Sequence, residues 1–328
     1  MVNWRRQFGR LGVGAALLSC ASLVGAQAGD AGQWLQRIQQ AAADRTYQGT
    51  MMTSAAGVVS SSRVAHICNG RERYERIEVL DGQVRRQYRH NGLVLTLWPQ
   101  TKVAVVEQQD SIADFPSLPS ASVRALDSYE LRSIGMDRIA GHEAEVLMLK
   151  PRDGHRYAQR LWAERESGLL LRTDVLGPRG EVLESSAFTD LSIGGKLATD
   201  TVLGPMKKLD GYRVVRPQNQ RTQLEAEGWM LARSVPGFQL LSCVKRPLDA
   251  VAEGSAAEQV MQTVFSDGLT HVSVFIERFD AQRHKPMRTV LGATNTSMNR
   301  VGDWWITVVG DVPMATVQQF ESMLQRRP

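Results

Sequence analysis

Two pairs of neighbouring residues are the first candidates for chemistry in this 328-residue sequence. His66 and Cys68 stand two residues apart in a predicted strand, so their side chains share one face, as a thiol nucleophile and its base would require. No third group that would orient the histidine is identifiable, so we interpret the pair as a packing contact. His142-Glu143 is not a zinc-protease motif, because Val146 stands where a second histidine is needed.

The sequence contains no recognisable catalytic or cofactor motif. Its six histidines are scattered, and it has no G-x-S-x-G elbow, phosphate-binding loop or dinucleotide fingerprint. Carboxylates are plentiful but occupy ordinary turn and strand positions. We therefore predict that the protein is not an enzyme and uses no metal or cofactor. A hydrolase assembled from residues distant in the sequence stays open as a third-ranked hypothesis.

The tryptophans are better candidates for binding than for catalysis. Trp304 and Trp305 are adjacent in a predicted strand, so their side chains point to opposite faces and one of them is free to lie outside the core. An exposed tryptophan is a common anchor for a protein partner. We predict that these two residues, together with the basic residues Lys207, Lys208 and Arg213, contact a partner.

The N-terminus has the features of an export signal. Three arginines among the first ten residues precede an apolar run, Leu11–Val24, and the small-residue stretch Gly25–Ala28. The apolar run is shorter than the roughly 20 residues that cross a bilayer. We predict that residues 1–28 are a signal peptide, cleaved after Ala28 or Ala26, and that the mature protein works in the periplasm.

Removal of the signal changes the apparent charge of the protein. The whole chain has a formal charge of +5, but residues 1–28 carry three arginines and no acidic residue. The mature chain keeps 36 basic and 34 acidic residues, a net charge of +2. This excess is too small and too dispersed for a nucleic-acid partner.

The three cysteines do not predict a disulfide framework. Cys20 loosely resembles a lipoprotein processing site, but apolar residues follow it, so we favour soluble export over lipidation. Cys68 and Cys243 remain in the mature chain, where the oxidising envelope permits a disulfide. We place them in different domains and interpret them as two free thiols, with an interdomain bridge as the alternative.

One helix and many short strands must position these residues. Asp30 can cap a helix whose apolar face includes Trp34, Leu35 and Ile38. From Thr46 to Asp190, turn pairs such as Asn91-Gly92 separate short β segments. The predicted strands include Leu93–Trp98, Ala144–Lys150, Tyr157–Ala163 and Leu169–Leu176. The fold class is therefore α+β and mostly antiparallel, with a large curved sheet or half-barrel wrapped on helices.

A break in the strand pattern at residues 110–128 suggests a cover for the concave face of this sheet. The segment Phe115-Pro116-Ser117-Leu118-Pro119 precludes a regular strand. A concave apolar surface under such a cover would suit an acyl chain. The predicted lipid-binding residues, all apolar and near this face or its cover, are Leu97, Trp98, Phe115, Leu118 and Trp162.

A polar, basic stretch at residues 203–223 predicts a linker between two domains. Residues 29–202 form the first predicted domain and residues 224–328 a smaller α+β domain. Strands are predicted at Val272–Glu277 and Trp304–Val309, and a last helix begins near Pro313.

Several segments, taken in order, resemble the RseB/MucB family. They are Trp34-Leu35-Gln36-Arg37-Ile38, Tyr47-Gln48-Gly49-Thr50, Arg152-Asp153-Gly154-His155-Arg156-Tyr157, Ser266-Asp267-Gly268-Leu269 and Thr307-Val308-Val309-Gly310-Asp311-Val312-Pro313. The resemblance covers essentially the whole mature chain, although no one motif is diagnostic. Met51-Met52 departs from the family's usual pair, and Asp311 stands where glutamate is commoner.

The resemblance implies a periplasmic negative regulator of the sigma-E (AlgU-type) envelope stress response. Such a protein would bind the periplasmic domain of an RseA/MucA-like anti-sigma factor, shield it from site-1 proteolysis, and be released by lipid or lipopolysaccharide. The resemblance also implies that the larger domain is LolA/LolB-like and senses lipid. The second hypothesis is a lipid or lipoprotein carrier of LolA/LolB type, which would have no need of residues 224–328.

Overall fold

The computed structural model describes residues 24–70, 72–108, 122–248 and 258–327. Its helices are α1 (Val24–Asp44), α2 (Ser122–Ala125), α3 (Thr199–Leu203) and α4 (Met314–Met323), with a 3-10 helix at Gly204–Lys207. Helix α1 begins ahead of the predicted cap at Asp30, because no proline stands between Val24 and that residue. Residues 1–23 of the predicted signal peptide, including Cys20, lie outside the described residues. Within the described ranges, no helix is long and apolar enough to span a bilayer.

Twelve strands form the first sheet. They are β1 (Tyr47–Ala55), β2 (Val58–Asn69), β3 (Glu72–Val79), β4 (Arg86–His90), β5 (Leu93–Trp98), β6 (Val103–Gln108), β7 (Tyr129–Ile139), β8 (His142–Pro151), β9 (Ala158–Glu164), β10 (Leu170–Leu176), β11 (Val182–Ile193) and β12 (Arg213–Val215). Their order is β12-β6-β5-β4-β3-β2-β1-β11-β10-β9-β8-β7, antiparallel except for β12 against β6. The predicted mostly antiparallel, open sheet is confirmed.

The turn chemistry explains much of this meander. Asn91 and Gly92 have positive φ angles of 47° and 85°, as the two-residue turn between β4 and β5 requires. The strand predicted at Leu93–Trp98 coincides with β5. The connection at Asp81-Gly82 is longer than a tight hairpin, because the Asp81 carboxylate accepts a hydrogen bond from the Ser61 backbone N–H and holds an open loop.

Two apolar clusters hold helices against the first sheet. Leu35 and Ile38 of α1 are fully buried against a cluster that includes Leu147 and Leu161. A side chain of this size contributes about 1.5–3 kcal/mol when it is removed from water. At the other end of the sheet, Val202 of α3 packs in a second cluster with residues of β2 to β6. The sheet is therefore covered at two separate places.

The stretch predicted as a linker contributes structure to both sheets. After the 3-10 helix, β12 pairs with β6 of the first sheet. The next strand, β13 (Gln220–Arg221), pairs with the second sheet. Backbone hydrogen bonds therefore fix both ends of this stretch. The predicted domain boundaries at residues 202 and 224 stay predictions.

Seven strands form the second sheet, in the order β13-β15-β16-β17-β20-β19-β18. The new strands are β15 (Gln239–Pro247), β16 (Gln259–Ser266), β17 (His271–Arg278), β18 (Met287–Leu291), β19 (Thr294–Val301) and β20 (Trp304–Gly310), while β14 (Trp229–Leu231) pairs with β21 (Leu324–Arg326). Val317 and Phe320 of α4 are fully buried in its core. The predicted strands at Val272–Glu277 and Trp304–Val309 and the last helix are confirmed.

A fully buried ion pair joins the two sheets. Arg156, in the loop before β9, donates from Nε to the Asp267 carboxylate at 2.6 Å, and both side chains are 0% exposed. Asp267 also accepts the Tyr129 hydroxyl at 3.1 Å and the backbone N–H groups of Leu269 and Thr270, each at 2.8 Å. The charge is therefore buried with every available oxygen partnered, which is the condition under which such a pair is tolerated.

Further hydrogen bonds fix the guanidinium group of Arg156. Its Nη2 donates a hydrogen bond to the Pro236 carbonyl at 2.8 Å, and its Nη1 forms an ion pair with Asp153. Burial disfavours the charged guanidinium, but the hydrogen bond and charge of Asp267 outweigh burial and raise the pKa of Arg156. Pro236 and Asp267 belong to the second-sheet side, so Arg156 links two of its loops to the first sheet.

Three smaller contacts surround this pair, and with it they form what we call the junction. Asn295 donates to the Tyr157 hydroxyl at 3.0 Å, and Thr316 at the start of α4 donates to the His155 carbonyl at 3.0 Å. At the turn between β18 and β19, Gly292 is so close to the first sheet that an added Cβ would lie 2.9 Å from the Ala55 Cβ. The junction therefore spans loops of both sheets.

Removing the charge of Asp267 should destabilise the protein strongly. The Asp267→Asn side chain keeps its size but removes the fully buried counter-ion of Arg156 and leaves the guanidinium paired with the partly exposed Asp153, at a cost of up to about 3–5 kcal/mol. The free energy of unfolding, from urea titration, measures this loss. As a control, Glu143→Gln removes the exposed pair with Arg165 and should change stability by less than about 1 kcal/mol. Equal effects of the two substitutions would contradict this account.

Glu184 of β11, the cross-strand partner of Ala55 at the junction, makes the stability of the protein depend on pH. Burial, and then the charge of Asp311, raise the pKa of Glu184, so its ionised form is disfavoured in the folded protein. This contribution favours folding at acid pH and is lost as pH rises through the folded-state pKa. Glu184→Gln should therefore raise the melting temperature at pH 7.5 and lose this advantage near pH 4. A gain that is the same at both pH values would argue against a buried charge at this position.

Candidate functional site

A pocket of about 310 Å³ opens on the second sheet beside β14. Its lining combines apolar residues with charged residues of both signs: Glu227, Trp229, Lys245, Glu258, Gln259, Met261, Ile276, Glu277, Arg278 and Trp304. Met261 and Ile276 are cross-strand partners on β16 and β17, and both are buried. The register of these two strands therefore places adjacent apolar side chains at this pocket.

Two tryptophans form a rigid wall of the pocket. Trp229 is buried and meets Trp304 edge-to-face, with ring centroids 5.7 Å apart. The guanidinium groups of Arg278 and Arg326 lie 4.2 Å and 4.7 Å from the Trp304 ring centroid. Cation–π contacts of this kind restrict the ring before any ligand arrives. The wall is thus preorganised to receive an apolar group.

The rim of the pocket carries paired charges. Lys245 lies 2.6 Å from Glu227, and this hydrogen bond lowers the pKa of Glu227. Glu277 pairs across the strands with Trp305, so its side chain lies on the other face of the sheet, 3.7 Å from His284, where burial raises its pKa. An apolar floor with a charged rim is suited to an apolar side chain flanked by polar ones. Nothing in the arrangement pairs a nucleophile with a base, and the described residues hold no cluster of His, Cys, Asp or Glu fit for a metal.

The structure separates the two predicted partner-binding tryptophans. Trp304 lines the pocket, whereas Trp305 is buried on the opposite face of β20. The His284 ring stacks on Trp305 at 4.7 Å with an interplanar angle of 3°, and Phe279 packs beside it. The predicted opposite orientation is therefore present, but only Trp304 lies in a place that a ligand can reach.

The predicted basic contacts lie elsewhere. Lys207, Lys208 and Arg213 are exposed and lie on the 3-10 helix, just after it and on β12, at an edge of the first sheet. The two tryptophans belong to β20 of the second sheet. The structure does not bring the five residues into one surface, and their role as partner contacts stays a prediction.

The predicted lipid-binding residues do not converge on one site either. Leu97 is buried in the cluster under α3, and Trp98 ends β5 half-buried. Trp162 lies on β9, with six strands between β5 and β9 in the sheet order, roughly 34 Å along the sheet. Phe115 and Leu118 lie outside the described residues. A lipid site on this sheet stays a prediction.

Two polar side chains of the protein contact Trp162. Its indole N–H donates to Asp137 at 2.9 Å, and the Arg172 guanidinium lies 4.5 Å from the ring centroid. The ring is buried in an apolar cluster that includes Val146, Leu169 and Ala41 of α1. This surrounding is typical of a structural residue.

The structure does not pair His66 with Cys68 as a dyad, because each has other partners. His66 Nδ1 lies 2.8 Å from the Arg45 carbonyl oxygen, and its ring stacks on Tyr47 at 5.0 Å. Burial lowers the pKa of His66, which favours the neutral ring. Cys68 Sγ instead faces the Gly70 carbonyl at 3.7 Å. Cys68 and Cys243 are both free and belong to different sheets.

Sequence reasoning did not identify the junction pair or the pocket rim. Arg156 and Asp267 are 111 positions apart, and nothing in either local pattern indicates its partner. A usable signal exists, because two of the segments that carry the family resemblance contain these residues. The rim residues Lys245, Glu227 and Arg278 have no such signal, since their proximity depends on strand order.

Comparisons with known proteins match the same family over most of the chain. The family model for the MucB/RseB N-terminal domain matches residues 30–206, and that for the MucB/RseB C-terminal domain matches residues 223–325. The chain is 31% identical over 313 residues to the sigma factor AlgU regulatory protein MucB of Pseudomonas aeruginosa, covering 89% of this chain and 90% of that protein. It is 23% identical to the sigma-E factor regulatory protein RseB of Escherichia coli K12, covering 88% of each chain.

Solved structures show the same likeness in three dimensions. MucB in complex with MucA(peri) superimposes with a TM-score of 0.68 at 27% identity, covering 91% of this chain and 100% of that one. The MucA/MucB complex of Pseudomonas aeruginosa gives a TM-score of 0.69 at 28% identity, with 91% and 99% of the two chains covered. On the matches of both domain models and of these whole chains, the protein belongs to the MucB/RseB family.

Proposed function

We propose that this protein binds the periplasmic domain of a MucA/RseA-like anti-sigma factor and so restrains an envelope-stress sigma factor. The observation that carries the proposal is the likeness to MucB in complex with MucA(peri), which extends over 91% of this chain. Both sheets and the junction between them fall within that coverage. We place the mature protein in the periplasm, after removal of residues 1–28.

The pocket on the second sheet offers an anchor for such a partner. Its tryptophan wall is fixed before binding, so little conformational entropy is lost when an apolar side chain enters. The charged rim would discriminate among the residues that flank this side chain. Together they supply affinity and register without any chemical step, as a regulator that acts by binding requires.

Shielding and release form the second part of the proposal. A bound partner would present its protease-sensitive segment to this protein rather than to the site-1 protease. Lipid or lipopolysaccharide would release the partner only by binding the dissociated state more tightly than the complex. A change in the relative position of the two sheets would break hydrogen bonds of the junction, because these bonds are short and specific.

A protection assay tests the proposal. The mature chain is mixed with the anti-sigma factor's periplasmic domain and the site-1 protease, and cleavage is followed over time. We expect slower cleavage in the presence of the protein and restored cleavage when lipopolysaccharide is added. Cleavage at an unchanged rate would reject the regulatory function, and lipid binding without protection would favour the carrier hypothesis.

Truncation of the pocket wall should weaken the complex. Trp304→Ala removes the ring between Arg278 and Arg326, and loss of a buried aromatic anchor typically costs about 2 kcal/mol or more, roughly thirtyfold in affinity. Trp98→Ala is the matched control, because it removes a half-buried tryptophan from the first sheet. Titration calorimetry on variants with unchanged circular dichroism measures both. Equal affinities would exclude the pocket as an anchor.

A further inference from the structure

The second sheet ends in an edge strand that is fully exposed. β18 pairs with β19 on one side, and on the other side no strand of the described residues joins it. All five of its residues are exposed, with Val290 at 66% and Leu291 at 57%. An edge of this kind presents backbone donors and acceptors to any chain that can extend beside it.

The other edges of the two large sheets are shorter than β18 or interrupted. β7 has a bulge between Ser133 and Gly135, which divides its ladder into two runs of five pairs. β12 has three residues and β13 has two. Bulges and short edge strands are the usual means by which proteins prevent strand addition. β18 pairs over its whole length without a register shift.

The turn geometry determines which backbone groups of β18 face outward. Gly292 has a φ of 60° and with Ala293 makes a two-residue turn, in which the closing residues Leu291 and Thr294 bond to each other. Bonded and non-bonded positions alternate along an antiparallel pair. Arg288 and Val290 therefore direct their N–H and C=O groups away from β19, toward the free edge.

Positive charge predominates in the segment that carries this edge, although Arg283 is paired with Glu258 and Asp280. Residues 281–302, which contain β18, β19 and the loop before them, include four basic residues and no acidic residue. Lys285 and Arg288 are exposed beside the free edge. Since the mature chain is nearly neutral, this segment is a local concentration of positive charge, and it favours an acidic ligand.

The side chains of β18 supply apolar contacts on both faces of an added strand. Met287 and Leu291 share one face, and Val290 lies on the other. The residue after this strand, Gly292, lies against Ala55 and Leu183 of the first sheet. Exposed Val58, the cross-strand partner of Ala55, and Val182 continue the apolar surface beyond that point.

We infer that an extended, acidic and partly apolar segment of the partner adds to β18 as an eighth strand of this sheet. The inference rests on the proposed function and assigns a docking surface to the same partner. Because β18 ends at the first sheet, the segment would reach both sheets. Its binding would then depend on the junction that sets their relative position.

The test uses the mature chain and the anti-sigma factor's periplasmic domain as the probe. Val290→Pro removes an outward N–H and leaves the bonds between β18 and β19 in place. Val290→Thr is the matched control, because it loses the apolar side chain but retains the N–H. We expect at least a tenfold weaker affinity for the proline variant and less than a threefold change for the threonine variant.

The outcomes separate the docking surface from the proposed function. If the wild-type chain does not bind the probe, the proposed function fails and the docking surface fails with it. If the wild-type and Val290→Pro chains bind equally, only the docking surface is overturned. Loss of self-association in the proline variant, with unchanged affinity for the probe, would show that a second copy of the chain occupies β18 and would also overturn it.

A measurement on the unmodified protein covers the case in which the proline variant does not fold. Amide hydrogen exchange is recorded for residues 287–291 with and without the probe. Strand addition predicts slower exchange of the outward Arg288 and Val290 amides in the complex. Exchange that is unchanged at these two amides, in a sample where complex formation is complete, would overturn the docking surface.

Discussion

The buried pair of Arg156 and Asp267 is the interaction on which the relation between the two sheets depends. Each group has hydrogen-bond partners on the opposite side of the junction, so moving the sheets apart would break several charge-assisted hydrogen bonds at once. Such a pair adds little net stability compared with apolar residues, but it enforces one arrangement. The surfaces on the two sheets therefore keep a fixed mutual position while the pair is intact.

This constraint fixes the relative position of the proposed binding surfaces on the two sheets. The pocket beside Trp304 and the free edge at β18 belong to one sheet, whereas Val58 and Val182 belong to the other. A partner that uses both sheets gains from their fixed position, because less orientational freedom is lost on binding. A signal that disturbs the junction would weaken all these contacts together, as the proposed release of the partner requires.

Local chemistry allowed much of the fold to be predicted, and long-range packing explains the rest. The turn at Asn91-Gly92 and the strand after it follow from residue types that tolerate positive φ and from β propensity. The role of Trp162 could not be predicted, because its partners Asp137 and Arg172 come from other strands. The junction was equally inaccessible, since the pairing of Arg156 with Asp267 depends on how the two sheets meet.

The proposed function requires the junction to hold the two sheets in the arrangement to which the partner binds. The anti-sigma factor's periplasmic domain is titrated into the mature chain and into its Asp267→Asn variant, at a temperature where both are folded. We expect a one-to-one complex with the wild-type chain and an affinity at least tenfold lower for the variant. Equal affinities, or no complex with the wild-type chain, would overturn this requirement.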